Sequence, residues 1–303
     1  MKITVIIPVY QPDERFLRLL QSLAEQTVQF RVMVIDSGNS EAFYQAYLRP
    51  LEAVVQHIEA RMFDHGATRQ MGIVMNPDAD VYVFLTQDAI LAAQDAIGRL
   101  AGAFANPKIG CAYGRQLPHK NAGIFAAGAR AFNYPSKSYV RSYGDKERYG
   151  IRTAFMSNSF AGYRREAVYQ AGGFPEKTIF GEDMYLAARM LKSGWQVAYV
   201  AEAQVYHSHE YTLQQEFKRY FDMGVFHARE SWLGKEFGRA EGEGKKFVLS
   251  QLKSAARYNP LLCGAAAAHN AVKLAGYKLG RWEKYLPQKW KLQLTMNKNY
   301  WNR

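Results

Sequence analysis

The chain has 303 residues and a formal net charge of +12. Hydrophobic residues make up 48% of it and aromatic residues 14%, which excludes a disordered chain and allows one large domain or two. The charge is uneven, because residues 244–303 hold twelve Lys or Arg and one acidic residue. Such a basic tail favours an anionic partner: a nucleic acid, the headgroups of a membrane surface or a phosphorylated acceptor.

The cysteines and the apolar runs bear on location. Cys111 and Cys263 lack the spacing of a metal site, so we interpret both as reduced thiols of a cytoplasmic protein. The longest apolar stretch, residues 261–276, is interrupted by three polar residues and falls short of the roughly 18 apolar residues of a spanning helix. Any membrane contact is therefore expected to be peripheral.

The first 90 residues alternate predicted strands with predicted helices. Apolar and β-branched runs predict strands at 3–10, 30–36, 53–58 and 81–88, and helical spacing predicts helices at 13–26, 41–48 and 64–75. This alternation predicts right-handed crossovers and a parallel sheet. Asp36 and Asp88 each end a strand, where an open α/β sheet binds its ligands, so both are candidate site residues. The alternative for Asp88 is that it caps a helix starting at residue 89.

The polar turn at residues 64–70 opens a helix. Its backbone amides and Arg69 lie near a helix N-terminus, which is a favourable place for a phosphate. In the alternative interpretation Asp64 caps the helix and Arg69 is solvated.

In the second half, predicted elements surround a long irregular segment. Helices are predicted at 92–104, 165–171, 182–191 and from 213 onward, and extended segments at 109–114, 195–200 and 203–209. Residues 115–149 carry no clear periodicity, which is typical of either a substrate lid or a disordered loop.

Two short clusters in this half carry chemistry. Glu182 and Asp183 open a helix, where acids either complement the helix dipole or supply a general base. His207 and His209 alternate on an extended segment, so both rings point to one face and suit a metal or an anionic substrate. Residues 245–257 form an amphipathic helix with basic residues on one side, which either lies on an anionic surface or packs on the domain.

Several segments taken together carry a family resemblance: residues 4–10, 34–38, 63–69, 85–89, 172–174, 180–183 and 205–209. In this order they resemble the family 2 glycosyltransferases, and most closely their rhamnosyltransferase-like branch. The resemblance implies the GT-A fold, an α/β fold with a Rossmann-like, mostly parallel central sheet flanked by helices. It assigns residues 1–225 to the glycosyltransferase domain, with a donor half at about 1–115 and an acceptor half at about 150–225, and leaves 226–303 as a helical basic extension.

The resemblance also implies a donor site. Pro8, Tyr10 and Asp36 are expected to hold the base and ribose of a nucleotide sugar. Gly66 and Arg69 are expected to lie along its diphosphate.

It implies a metal site and a base as well. Gln87-Asp88-Ala89 occupies the place of the family's Asp-x-Asp metal motif, with Gln for the first Asp and Ala for the last. One carboxylate remains, so Mg²⁺ or Mn²⁺ is expected to be held weakly and chiefly through the diphosphate. His207 matches the histidine that supplements such sites, ahead of His209. Asp183 matches the catalytic base, and Glu182 beside it completes the catalytic pair.

The expected activity follows from these roles. A single base without an opposing nucleophile predicts direct displacement with inversion. The resemblance implies dTDP-L-rhamnose as donor, with UDP-sugars as the competitor, and a bacterial surface glycan or lipid-linked saccharide as acceptor at the inner face of the cytoplasmic membrane. A non-catalytic nucleotide-binding module is the alternative. Nucleic acid is not an expected partner, because the aromatic residues of the tail form no recognisable stacking module.

Overall fold

The computed structural model describes residues 1–238 and 241–302. The strands are β1 (Ile3–Val9), β2 (Arg31–Asp36), β3 (Val54–His57), β4 (Val81–Leu85), β5 (Ile90–Leu91), β6 (Ile109–Leu117), β7 (Tyr139–Arg141), β8 (Phe160–Arg164) and β9 (Gln196–Tyr206). The α-helices are α1 (Glu14–Ala24), α2 (Glu41–Tyr44), α3 (His65–Val74), α4 (Ala96–Gly102), α5 (Ile124–Asn133), α6 (Lys146–Tyr149), α7 (Arg165–Ala171), α8 (Glu182–Lys192), α9 (Leu213–Arg229), α10 (Ser231–Phe237), α11 (Glu241–Tyr258), α12 (Leu262–Arg281), α13 (Gln288–Leu294) and α14 (Lys298–Trp301).

All the strands belong to one sheet, with the order β3-β2-β1-β4-β8-β6-β9-β5 and β7 paired to β9. The expected α/β class is confirmed, and the sheet is mixed: it is parallel in its first half, from β3 to β4, and again between β6 and β9. Strand β8 pairs antiparallel with both β4 and β6. The reason is that the chain is at the carboxyl edge again just before β8, where Ser157 contacts Gln116 near the end of β6, so β8 starts at that edge and runs back.

The first-half strands are buried on both faces. Alternate residues of β1 and β4 enter separate clusters on the two sides of the sheet, with Ile6 and Phe84 on one side and Val5 and Val83 on the other. Central parallel strands require this continuous apolar pattern because helices cover both faces. The sheet is therefore a rigid base for the loops at its carboxyl edge.

Two predictions for the middle of the chain were wrong. Residues 90–91 form β5, which pairs with β9, and the helix predicted from residue 92 begins only at Ala96. Asp88 therefore does not cap a helix. Residues 115–149 are not irregular, since they contain the end of β6 and all of α5, β7 and α6. Helix α5 is stabilised by distant partners, as in the ring contacts Phe132–Phe247 at 5.2 Å and Phe125–His269 at 4.8 Å.

The C-terminal helices pack directly on the preceding domain. Helix α12 approaches α9 so closely that a Cβ added at Gly276 or Gly280 would lie 2.4 Å from the carbonyl oxygen of Phe217 or 2.1 Å from that of Phe221. The predicted boundary between 225 and 226 falls inside α9. None of the described helices combines the length and hydropathy needed to cross a membrane. Both cysteines, which lie in the described part of the chain, are free.

Candidate active site

Asp88 and two histidines meet at the carboxyl edge of the sheet. Asp88 follows β4, and His207 and His209 follow β9. Nε2 of His207 lies 3.4 Å from Oδ1 of Asp88, and Nε2 of His209 lies 3.7 Å from Oδ2. One ligand atom from each residue falls within a cluster 4.8 Å across, so the three could hold one metal ion. The structure thus brings Asp88 and His207 together as predicted, and it places His209 close enough to be a third ligand.

The protonation of this cluster suits a cation. Burial raises the pKa of Asp88, but at low pH a hydrogen bond from protonated His207 and the charges of protonated His207 and His209 lower it more, so the pKa ends below its usual range. Burial lowers the pKa of His207, and it lowers the pKa of His209 to about 3 with help from the charge of His207. At neutral pH the cluster therefore offers one carboxylate and two neutral imidazoles, which is the state that binds a metal.

Two arginines outside the predicted set lie close to this cluster. Arg15, near the start of α1, has a guanidinium nitrogen 3.8 Å from Oδ2 of Asp88. Arg219 of α9 lies over the rings of Tyr211 and Phe180, at 5.6 and 5.2 Å, and no acid partners it in the described part of the chain. Tyr211 in turn stacks on His209 at 5.1 Å. Sequence periodicity could not single out these cations, because solvated helical arginines give the same pattern.

Gln87 fixes the backbone beside the cluster. Its Oε1 accepts the N–H of Tyr10 at 2.8 Å, and its Nε2 donates to the carbonyl of Tyr10 at 3.1 Å. The side chain is therefore used to join the ends of β1 and β4. This explains why an amide replaces the first acid of the metal motif, since a carboxylate could not donate to that carbonyl.

The predicted nucleotide residues divide into exposed and internal groups. Pro8 is partly buried within β1, and the Tyr10 side chain, 51% exposed, follows that strand. Asp36 is fully buried, and its oxygens accept from the amides of Gly38 and Ser40 and from the hydroxyl of Tyr44. Asp36 therefore stabilises the loop after β2, and its buried carboxylate is not exposed to a ribose.

In the turn expected to bind a phosphate, backbone amides already donate to a side chain of the turn itself. Oδ1 of Asp64 accepts the amides of Gly66 and Ala67 at 3.0 and 2.9 Å, so Asp64 caps α3 as in the alternative interpretation. A Cβ at Gly66 would lie 1.8 Å from the carbonyl oxygen of Pro175, so close backbone packing explains this glycine. Arg69 is buried rather than solvated, and its guanidinium lies 3.2 Å from Oε1 of Glu182.

The two acids at the start of α8 have different environments. Glu182 is 6% exposed and binds Arg69 and the side-chain amide of Asn158, the latter at 2.9 Å. Burial raises the pKa of Glu182, but Arg69 and Asn158 hold it below its usual range. Asp183 is partly exposed and accepts backbone amides of Asn158 and Met184. Burial and the charge of Glu182 raise the pKa of Asp183 to about 7.

A chain of hydrogen bonds joins the two parts of the site. Nδ1 of His207 lies 2.8 Å from Oε1 of Gln116, and Nε2 of Gln116 donates to the hydroxyl of Ser157 at 2.7 Å. The next residue, Asn158, donates its amide to Asp183 at 3.1 Å. These contacts connect the surroundings of Asp88 with Asp183, while Asp36 lies at the carboxyl end of β2 and holds the loop that follows it.

Relatives of known sequence decide the family. A family model described as glycosyl transferase family group 2 matches residues 83–221. The chain is 45% identical over its whole length to the O-antigen chain rhamnosyltransferase RfbN of Salmonella typhimurium, with 96% of that protein covered. It is 40% identical over 99% of its length to the O-antigen chain rhamnosyltransferase WbaN of Salmonella anatum, with 95% covered. The chain belongs to the family 2 glycosyltransferases.

Solved structures agree on the fold of this glycosyltransferase. It is similar to the mannosyltransferase PcManGT of Pyrobaculum calidifontis, solved with GDP-Man and Mn²⁺, with a TM-score of 0.62, 17% identity, and 93% of this chain and 87% of that chain covered. It is also similar to residues 1–349 of TarS from S. aureus, with a TM-score of 0.54, 14% identity, and 94% and 91% covered. The predicted family and GT-A fold are therefore confirmed.

Proposed function

We propose that this glycosyltransferase transfers L-rhamnose from dTDP-L-rhamnose, with inversion, to a hydroxyl of a lipid-linked bacterial O-antigen saccharide. The rhamnosyltransferase names of both full-length relatives support the sugar and the acceptor class. The single observation that carries the chemistry is the hydrogen-bonded connection between the Asp88 cluster and Asp183. It supports the proposal because sugar transfer requires a cation and a base close together, and these residues lie at the same edge of the sheet.

The donor set fits a divalent cation. One carboxylate with two imidazoles suits Mn²⁺ better than Mg²⁺, which prefers oxygen ligands. We infer that Asp88, His207 and His209 hold the ion together with the donor diphosphate, where the ion would neutralise the charge of the leaving group. Arg219, which no acid partners in the described part of the chain, adds fixed positive charge nearby. Arg69 and Arg15 cannot fill this role in the same way, because Arg69 is paired with Glu182 and Arg15 with Asp13 at 2.6 Å.

Asp183 is the proposed general base. It removes the proton of the acceptor hydroxyl as that oxygen bonds to the anomeric carbon, while the bond from this carbon to the diphosphate breaks and its electrons leave with the phosphate. Glu182 cannot share this role, because its carboxylate is already bound by Arg69 and Asn158. Attack opposite the leaving group inverts the configuration. Pro8 and Tyr10 are proposed to face the nucleotide, and Asp36 and Gly66 to hold the loops around it.

A donor panel tests this proposal. The enzyme is incubated with Mn²⁺, a lipid-linked saccharide extract and either dTDP-L-rhamnose or UDP-sugars, and the product is analysed by mass and by NMR of the anomeric centre. We expect transfer from dTDP-L-rhamnose alone, with inverted configuration, and its loss in Asp183→Asn. Transfer from a UDP-sugar only would refute the donor. Donor binding without any transfer would support the non-catalytic alternative.

The membrane partner has a better candidate surface than the helix predicted from sequence. Part of the apolar side of α11 packs on α5 and α12, so less of that helix is available for a bilayer than the sequence predicts. Between residues 281 and 290, Trp282, Tyr285 and Trp290 are 67%, 74% and 56% exposed beside exposed basic residues. The acid there, Glu283, is buried and neutralised by Arg229 and Lys291. Exposed aromatic residues among cations favour an anionic membrane surface.

Vesicle sedimentation tests this surface. Wild type is expected to sediment with phosphatidylglycerol vesicles and to stay in solution with phosphatidylcholine vesicles. The variant Trp282→Ser/Trp290→Ser should lose binding to the anionic vesicles, whereas the control Lys253→Ser, exposed on α11, should keep most of it. Equal sedimentation of all three proteins would refute a membrane role for residues 281–290.

A further inference from the structure

Gln116 occupies the centre of the connected site. It lies near the end of β6, is 2% exposed, and is placed beside the β9 end by the register Gln116↔Val205. The amide of His207 continues this pairing by donating to the carbonyl of Leu117 at 2.9 Å. The backbone therefore fixes the distance between the Gln116 amide and the His207 ring before any ligand binds.

The contacts of Gln116 determine which way its amide faces. Arg130 approaches Oε1 with a guanidinium nitrogen, which can only donate, so the atom at that position is the oxygen. The same oxygen lies 2.8 Å from Nδ1 of His207, which must therefore carry the hydrogen. In a neutral imidazole the lone pair is then on Nε2, the nitrogen 3.4 Å from Asp88.

The other end of the amide reaches the base. Nε2 of Gln116 donates to the hydroxyl of Ser157 at 2.7 Å, and the following residue, Asn158, donates its amide to Asp183. Asn158 is itself fixed, because its side chain binds Glu182 and the hydroxyl of Tyr163. One side chain thus touches both the metal-facing histidine and the segment that supports the base.

We propose that Gln116 is a positioning residue. It holds His207 in the tautomer whose unprotonated Nε2 faces Asp88, and through Ser157 it fixes the position of the segment that supports Asp183 relative to that histidine. The inference rests on the proposed function, since it takes Asp88 and His207 as cation ligands and Asp183 as the base. A residue that hydrogen-bonds to a metal-ligating histidine can act in this way, because the hydrogen bond on one ring nitrogen determines whether the other nitrogen has a lone pair for the metal.

The test separates these two tasks with two variants. Gln116→Leu removes both contacts. Ser157→Ala leaves the contact between Gln116 and His207 in place but removes the hydroxyl that accepts from Nε2 of Gln116. The control is Gln204→Leu, the same change on β9, where the side chain bonds only to the carbonyl of Ala201 among the described residues. The readouts are the ¹⁵N chemical shifts of the His207 ring in the metal-free protein, Mn²⁺ affinity by electron paramagnetic resonance without any nucleotide, and kcat.

In wild type and Gln204→Leu we expect a protonated Nδ1 and an unprotonated Nε2. Gln116→Leu should mix the tautomers and weaken Mn²⁺ binding about tenfold. Ser157→Ala should keep the tautomer while lowering kcat, and it carries the test if the leucine variant fails to fold. Wild-type ring shifts and Mn²⁺ affinity in Gln116→Leu, or wild-type kcat in Ser157→Ala, would overturn the inference. Tautomer and Mn²⁺ results as expected in a protein that transfers no sugar would refute the proposed function and leave the positioning of His207 standing.

Discussion

Asn158 donates its backbone amide to Asp183 at 3.1 Å and its side-chain amide to Glu182 at 2.9 Å. One residue thus supports two adjacent acids whose pKa values move in opposite directions. Arg69 keeps Glu182 ionised, and burial together with the charge of Glu182 raises the pKa of Asp183 to about 7. A pair split in this way contains one permanent anion and one group that exchanges a proton near neutrality, which is the division that general base catalysis uses.

The first prediction is a pH profile. Because Asp183 must be ionised to accept a proton and its pKa is about 7, kcat/KM should fall as pH drops below 7. The fall should approach about tenfold per pH unit. Glu182→Gln removes the neighbouring negative charge, so the acidic limb should move to lower pH. Rate measurements between pH 5 and 9 check both expectations, and an unchanged limb in Glu182→Gln would contradict the coupling.

The second prediction concerns stability. Folding raises the pKa of Asp183 from its ordinary value of 3.8 to about 7, so its ionisation favours the unfolded chain. The stability of the wild type relative to Asp183→Asn should therefore be highest near pH 4, decline up to about pH 7 and then stay level. Urea unfolding of both proteins across this range measures the difference. A difference that did not change with pH would show that Asp183 titrates normally in the folded protein.

The third prediction separates Gln87 from the metal ligands. Gln87→Ala removes two hydrogen bonds to the Tyr10 backbone. The loosened end of β1 should weaken dTDP binding about three- to tenfold, the range for losing one or two such bonds. Mn²⁺ affinity without nucleotide should be unchanged. Calorimetry with dTDP and electron paramagnetic resonance with Mn²⁺ measure the two affinities. Gln56→Ala is the control, because within residues 1–238 and 241–302 that side-chain amide bonds only to the adjacent carbonyl of His57. A loss of Mn²⁺ affinity as large as the loss of dTDP affinity would indicate that Gln87 is a metal ligand.

The limits of sequence analysis follow from the distances along the chain over which contacts form. Asp88 and Asp183 were found because a strand end and a helix start are local signals. Gln116 was missed because its contacts depend on the register of β6 with β9, whose paired residues are some ninety positions apart. The opposite error occurred at Gly66 and Arg69, where a local pattern typical of a phosphate turn is used for a cap, a close backbone contact and a buried ion pair.

The fourth prediction tests how the C-terminal helices are held. A Cβ at Gly280 would lie 2.1 Å from the carbonyl oxygen of Phe221, and no rotamer change can relieve a contact between two backbones. Gly280→Ala should therefore destabilise the protein by about 1–3 kcal/mol, the usual cost of overpacking. Gly264 lies on the same helix with nothing within 4 Å of its added Cβ, so Gly264→Ala should be neutral or stabilise by up to about 1 kcal/mol through helix propensity. Urea unfolding compares the two variants. Equal stability of both would mean that α12 is not pressed against α9, and residues 226–303 would then be a loosely attached tail.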